Sequence, residues 1–175
     1  MFRAASDFDV LRTGENAITE FSRPTVREGV QATARYEPAS WVAVDLRAAA
    51  LHARFADNGA GYIPGAAERS ASASATIRMP GRWRASLMAS YLGKRAGTGE
   101  DTSLRASTFV SAGLTHDVSR TARLSLEVPN LFGQRVRDVD YFWASRASGA
   151  FGAGDAYLFN PAQPRGLRLR LRTTF

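Results

Sequence analysis

"PRGLRLRLRTTF", residues 164–175, closes the chain with leucine and arginine in strict alternation. A basic tail that grips a polyanion needs cations within reach of phosphates and gains nothing from a leucine at every second place. A β-strand does need that spacing, because successive side chains point to opposite faces. Leu167, Leu169, Leu171, Thr173 and Phe175 then form one face, and Arg168, Arg170, Arg172 and Thr174 the other.

The same period runs through the rest of the chain. "SASASATIRM" (70–79) sets Ala71, Ala73, Ala75, Ile77 and Met79 against Ser70, Ser72, Ser74, Thr76 and Arg78 without a break. In "TVREGVQATARY" (25–36), Val26, Val30, Ala32, Ala34 and Tyr36 oppose Arg27, Gln31, Thr33 and Arg35, with Glu28 interrupting the apolar face near one end. Val42, Val44, Leu46, Ala48 and Ala50 repeat the pattern, as do Trp83, Ala85, Leu87, Ala89 and Tyr91. Val110, Ala112 and Leu114, and then Leu124, Leu126 and Val128, continue it. With the closing strand and a weaker opening one near Phe8–Thr13, the template predicts about eight strands and an all-β antiparallel fold.

The connections add a second signal. Short turns at 37–40, 80–82 and 118–121 alternate with long linkers at 14–24, 55–67, 94–104 and 136–164, so all short turns fall at one end and all long loops at the other. Tight turns on one side, long loops on the other and strands of about ten residues are what a transmembrane β-barrel shows. Tyr36, Trp41 and Trp83 sit beside the short turns, where amphipathic rings suit a membrane interface. The arginines then face a polar interior, with Asp45 and Glu127 as acidic neighbours.

Composition bounds the chemistry. At 175 residues the length suits one domain, and the net charge of +7 is carried by arginine, Lys94 being the sole lysine. That balance suits nucleic acid, anionic headgroups or acidic ligands without choosing among them. A nucleic-acid-binding β protein would place basic and aromatic residues on one face, whereas here they take opposite faces. The chain has no cysteine, and His52 and His116 have no local serine and carboxylate arrangement of the triad kind, so no catalytic residue, metal site or cofactor is expected. The glycine-rich runs at 97–101 and 149–155 lack the Gly-Lys-Ser/Thr ending of a phosphate loop. Asp57, Asp138, Asp140 and Asp155 do not have calcium-loop spacing. No stretch approaches the ~18 apolar residues of a membrane helix, and the start does not read as a signal peptide.

On Asn130, Leu131 and Phe132 at the end of the penultimate strand, on "DVDYFWASR" (138–146) and "PAQPR" (161–165) in the last long loop, and on the terminal Phe175, the chain resembles the C-terminal part of a TonB-dependent outer-membrane receptor. The resemblance runs over most of residues 21–175. It implies a transmembrane β-barrel segment in the outer membrane of a Gram-negative bacterium, serving uptake of a scarce nutrient such as a ferric siderophore. The whole chain, 1–175, is expected to be one barrel segment, with plug domain and signal peptide absent, so that TonB would act only through a missing N-terminal region. Expected partners are outer-membrane lipid, a small-molecule ligand and the barrel-assembly machinery, with Phe175 as the assembly signal; no nucleic acid is expected. The resemblance and the concentration of binding residues on loops make Asp138, Asp140, Tyr141, Phe142, Trp143 and Arg146 the candidate ligand contacts, and Arg168, Arg170 and Arg172 the lumen-facing row. A small independent eight-stranded pore or anchor is the alternative within membrane proteins, and a soluble basic β protein that binds nucleic acid is the alternative outside them.

Overall fold

The computed structural model describes residues 1–7, 10–12, 19–21, 23–57, 61–97, 103–145 and 154–174, with side chains described for 1–7, 23–57, 61–97, 103–136 and 161–174. The strands are β1 (Phe2–Ser6), β2 (Val10–Arg12), β3 (Thr19–Phe21), β4 (Thr25–Ala39), β5 (Val42–Phe55), β6 (Arg69–Met79) and β7 (Trp83–Leu92). They continue as β8 (Arg95–Ala96), β9 (Ser103–Leu104), β10 (Ser107–Asp117), β11 (Ala122–Val128), β12 (Arg137–Ser145), β13 (Gly154–Pro161) and β14 (Arg168–Thr173). Eight of them form one antiparallel sheet in the order β1-β4-β5-β6-β7-β10-β11-β14. The sheet is open: among the described residues β1 and β14 each pair on one side only.

The eight-strand expectation holds, but the opening strand is displaced. Phe2–Ser6 pairs with β4, through Phe2↔Gly29 to Ser6↔Thr25, whereas Phe8, Asp9 and Thr13 of the expected strand lie outside the described residues. Val10–Arg12 instead pairs with Thr19–Phe21 in a separate hairpin. Two further long loops carry ladders of their own, β8 with β9 and β12 with β13. An apolar pair every second residue is all the period-two template reads, so short hairpins inside loops escape it.

The short turns are built from their residues. Pro80 and Gly81, with φ 72° at the glycine, follow the order a type II turn requires, and Arg82 also takes a positive φ of 63°. At the β10–β11 turn, Ser119 Oγ accepts from the amides of Thr121 at 3.2 Å and Ala122 at 2.9 Å, which closes the turn through a side chain. Pro129 follows β11 directly, outside its ladder, so its missing N–H takes no bond from the strand.

Among the described residues no second layer packs on this sheet. Among the described residues the buried apolar side chains are Ala43, Ala53, Ile63 and Leu104. The accessible surface is 12830 Å², against about 8,400 Å² for a folded soluble protein of this mass. A water-soluble domain buries the apolar face of its sheet against another element; here that face stands uncovered.

Candidate functional site

Register turns the alternating strands into two walls. On one face the rows across the sheet read Tyr36–Val44–Ala75–Leu87–Ala112–Val128 and Ala34–Leu46–Ala73–Ala89–Val110. Next to them lie Val42–Ile77–Ala85–Leu114–Leu126–Leu169 and Met79–Trp83–His116–Leu124–Leu171. Leu169 and Leu171 are 69% and 66% exposed and end rows of a contiguous apolar surface larger than soluble monomers leave in water. From Val42 to Ala50 the strand rises about 27 Å, which at a tilt of about 40° gives roughly 20 Å of height. That approaches the apolar band of about 25 Å of membrane barrels.

Aromatic residues border this band at the short-turn end. Tyr36, Trp41 and Trp83 are all exposed there, and the Trp83 indole stacks on His116 at 4.2 Å between ring centroids. Direct cross-strand pairing, His116↔Trp83, makes that stack, which sequence distance had concealed.

The opposite face is polar. Its rows include Arg35–Asp45–Ser74–Met88–Ser111 and Thr33–Arg47–Ser72–Ser90–Phe109. Toward the short turns follow Thr76–Ser86–Gly113–Glu127–Arg168 and Arg78–Arg84–Thr115–Ser125–Arg170. Arg168, Arg170 and Arg172 therefore share this polar face, opposite Glu127, Ser125 and Arg123. Asp45 meets Arg35 at 3.5 Å, with Glu37 on the same guanidinium at 2.7 Å. Asp117 takes Arg123. Among the described residues Glu127 makes no salt bridge, although it lies across from Arg168. The sequence period puts Arg78 and Arg84 on the polar face, and register adds what it could not give: they are direct cross-strand partners and bring a second pair of cations to this wall.

A concavity of about 550 Å³ opens on the polar wall, bordered by Gln31, Arg47, Ser72, Ser90, Ser107 and Phe109. It holds serine hydroxyls, the Arg47 guanidinium and the aromatic residues Phe109 and Tyr91, a set that hydrogen-bonds polar or anionic solutes and contains no nucleophile with an adjacent base.

The last long loop is anchored at its base by Asn130, which is 2% exposed and adopts φ 47°. Its Nδ2 donates to the carbonyl oxygens of Gln134 and Gln163, both at 2.9 Å, and its Oδ1 accepts from the Gln134 amide at 2.9 Å. Asparagine tolerates the left-handed region better than other chiral residues, which suits it to this place. Above this base rises the hairpin β12–β13, with Asp140↔Phe159, Tyr141↔Leu158, Phe142↔Tyr157 and Trp143↔Ala156 as backbone partners. Asp138, Asp140, Tyr141, Phe142 and Trp143 all belong to β12, but their side chains lie outside the described residues, as do Arg146 and Phe175 altogether.

No protein-family model and no curated protein matches the chain. Solved structures do. The siderophore receptor PiuA from Acinetobacter baumannii aligns over 98% of this chain and 25% of its own, at 13% identity and a TM-score of 0.72. The ferric yersiniabactin uptake receptor FyuA from Yersinia pestis aligns over 89% and 25%, at 17% identity and 0.68. The copper transporter OprC aligns over 90% and 25%, at 20% identity and 0.67. The fold is that of part of a TonB-dependent receptor barrel. The chain spans about a quarter of the length of each of these proteins.

Proposed function

We propose that the chain is an outer-membrane segment of a nutrient-uptake receptor, in which residues 1–175 form the C-terminal part of the barrel and take no catalytic role. The observation that carries the reading is the single-layer sheet with one uncovered apolar face, bordered by Tyr36, Trp41 and Trp83 at its short-turn end. Open edges at β1 and β14 support a wall that continues into further strands. In this reading lipid covers the row ending in Leu169 and Leu171, while Arg168, Arg170 and Arg172 border the water-filled lumen. Ligand contacts come from Asp138, Asp140, Tyr141, Phe142 and Trp143 on β12 and from Arg146, which follows it in sequence, and Phe175 serves as the mark for barrel assembly. TonB coupling and a plug belong to other parts of the receptor. A ferric siderophore is the proposed cargo class, supported by the siderophore and yersiniabactin receptors among the structural relatives.

Membrane fractionation and flotation test the location. The chain should float with lipid vesicles and need detergent for extraction; recovery in the aqueous fraction without detergent would overturn the reading. Uptake is tested separately, by joining residues 1–175 in place of the matching quarter of a siderophore receptor. Ferric siderophore uptake should persist, and it should fall on substituting Tyr141 and Trp143 by alanine.

A further inference from the structure

Three cavities meet at one short segment. The cavity of about 550 Å³ on the polar wall is bordered by Val136 as well as by Ser72, Ser90, Ser107 and Phe109. A second, of about 460 Å³, lies between residues 103–106 and 134–136. A third, of about 750 Å³, lies between residues 132–136 and the far stem of the last long loop, at Pro161, Ala162, Pro164 and Arg165. Gln134 and Arg135 line both loop cavities, and Val136 is common to all three.

The segment is held from both stems of the loop. Asn130 accepts from the Gln134 amide and donates to the Gln134 carbonyl, each at 2.9 Å. At the other end the Ala162 amide donates to the Val136 carbonyl at 2.9 Å. Residues 134–136 therefore form a strap fastened at both ends, and the β-branched Val136, half-buried on it, is stiff in its own right. The strap is a partition, with loop cavities on one side and the polar wall on the other. Its two sides differ in chemistry. Arg105, Arg135 and Arg165 are exposed at the loop cavities, and no carboxylate of the described residues lines either one. Past Val136 the lining turns to serine hydroxyls, with Gln31 and Arg47 beside them. An anionic, oxygen-rich solute is drawn by guanidiniums on the first side and finds hydrogen-bond partners on the second.

We propose that Val136 is a specificity-determining residue for uptake. It is the partition that an anionic, oxygen-rich solute passes on its way from the loop cavities to the serine-lined wall, and the size of its side chain sets what passes. The inference rests on the uptake reading above. It is separate from ligand capture on β12, because a partition acts on passage and leaves capture alone.

The test uses the siderophore receptor that carries residues 1–175 in place of its matching quarter, with that receptor's own ferric siderophore, loaded with radioactive iron, as the probe. Binding is measured on energy-depleted cells and uptake on respiring ones, both normalised to the amount of chimera in the outer membrane. V136F should bind the ferric siderophore as the unsubstituted chimera does and import it about tenfold more slowly, the order of discrimination that a small change of bulk produces in a fitted passage. V136A should import it at least as fast as the unsubstituted chimera. V118F puts the same ring on an exposed residue of the β10–β11 turn, at the opposite end of the sheet, and should change neither quantity. Should V136F not reach the outer membrane, V136L decides by the same split between binding and uptake. Uptake at the unsubstituted rate, a loss of binding that matches the loss of uptake, or slower uptake in V136A would each overturn the proposal. An unsubstituted chimera that neither binds nor imports the siderophore defeats the uptake reading itself.

Discussion

Asn130 and Gln163 are joined across 33 residues by one hydrogen bond, from the Asn130 side-chain amide to the Gln163 carbonyl at 2.9 Å. The same amide holds the Gln134 carbonyl at 2.9 Å, so both stems of the long loop close on a single side chain that is almost fully buried. N130A would remove these bonds, strand two carbonyls away from water, and place alanine at a positive φ. The expected cost is about 2–4 kcal/mol of unfolding free energy, read by urea titration in detergent. N130G relieves the backbone but not the bonds, and should recover only about 1 kcal/mol of that loss. Hydrogen exchange at the Gln134 amide should rise in both variants, while the amides of β6 and β7 remain protected.

Face assignment predicts an asymmetry of charge insertion. Ala73 and Ser72 are neighbours in β6, yet Ala73 lies in the middle of the apolar rows and Ser72 on the polar wall. A73R should destabilise the bilayer-folded state by about 2–4 kcal/mol, and S72R by less than about 1 kcal/mol. The measurement is denaturant-dependent folding into vesicles. If the two penalties came out reversed, the lipid-facing wall would have to be the serine face.

Gly113 lies against Ser86 so closely that a Cβ would sit 2.6 Å from the Ser86 hydroxyl oxygen. G113A should therefore cost more than the roughly neutral effect of a small substitution in an uncrowded strand, about 1–2 kcal/mol. S86A removes the obstructing oxygen, so the double variant should regain most of the loss. Additive penalties in that cycle would mean that the crowding is relieved elsewhere.

How much of this was readable beforehand depends on what each feature required. The walls were legible because a sheet lipid-covered on one face and wet on the other forces strict alternation, as in Ser70–Met79. The strand Phe2–Ser6 was not, since alanine at both Ala4 and Ala5 leaves no contrast between faces, and the apolar residues after it drew the assignment to Phe8–Thr13. The β12–β13 hairpin was hidden for a related reason: Tyr141, Phe142 and Trp143 run consecutively and carry no period. Asn130 stood out as a motif, but its partner lies on the far stem of a long loop, and only three-dimensional register brings the two together.

On the polar wall, Arg123 and Arg172 are direct cross-strand partners, and like charges in that position repel. Asp117 relieves the pair by engaging Arg123 from β10. D117N should lower stability most at low ionic strength, and the loss should shrink as salt screens the two guanidiniums. R172S introduced together with D117N should remove that salt dependence, whereas a penalty insensitive to salt would assign Asp117 a role in closing the turn.

The aromatic border supplies the last test. Trp41 and Trp83 stand beside the short turns, and Trp83 shares its row with Met79, His116 and Leu124 at the edge of the apolar band. Indole rings prefer this level because the ring body stays in hydrocarbon while the N–H reaches the hydrated headgroups. With W143F used to silence the third tryptophan, the remaining emission should be quenched strongly by lipids brominated near the carbonyl and weakly by lipids brominated near the chain ends. L87W, placed two outward rows deeper on the same strand in the W41F/W83F/W143F background, should show the opposite profile. Equal quenching at both depths for both positions would mean that the strands do not cross the bilayer, and that the apolar face meets something other than lipid.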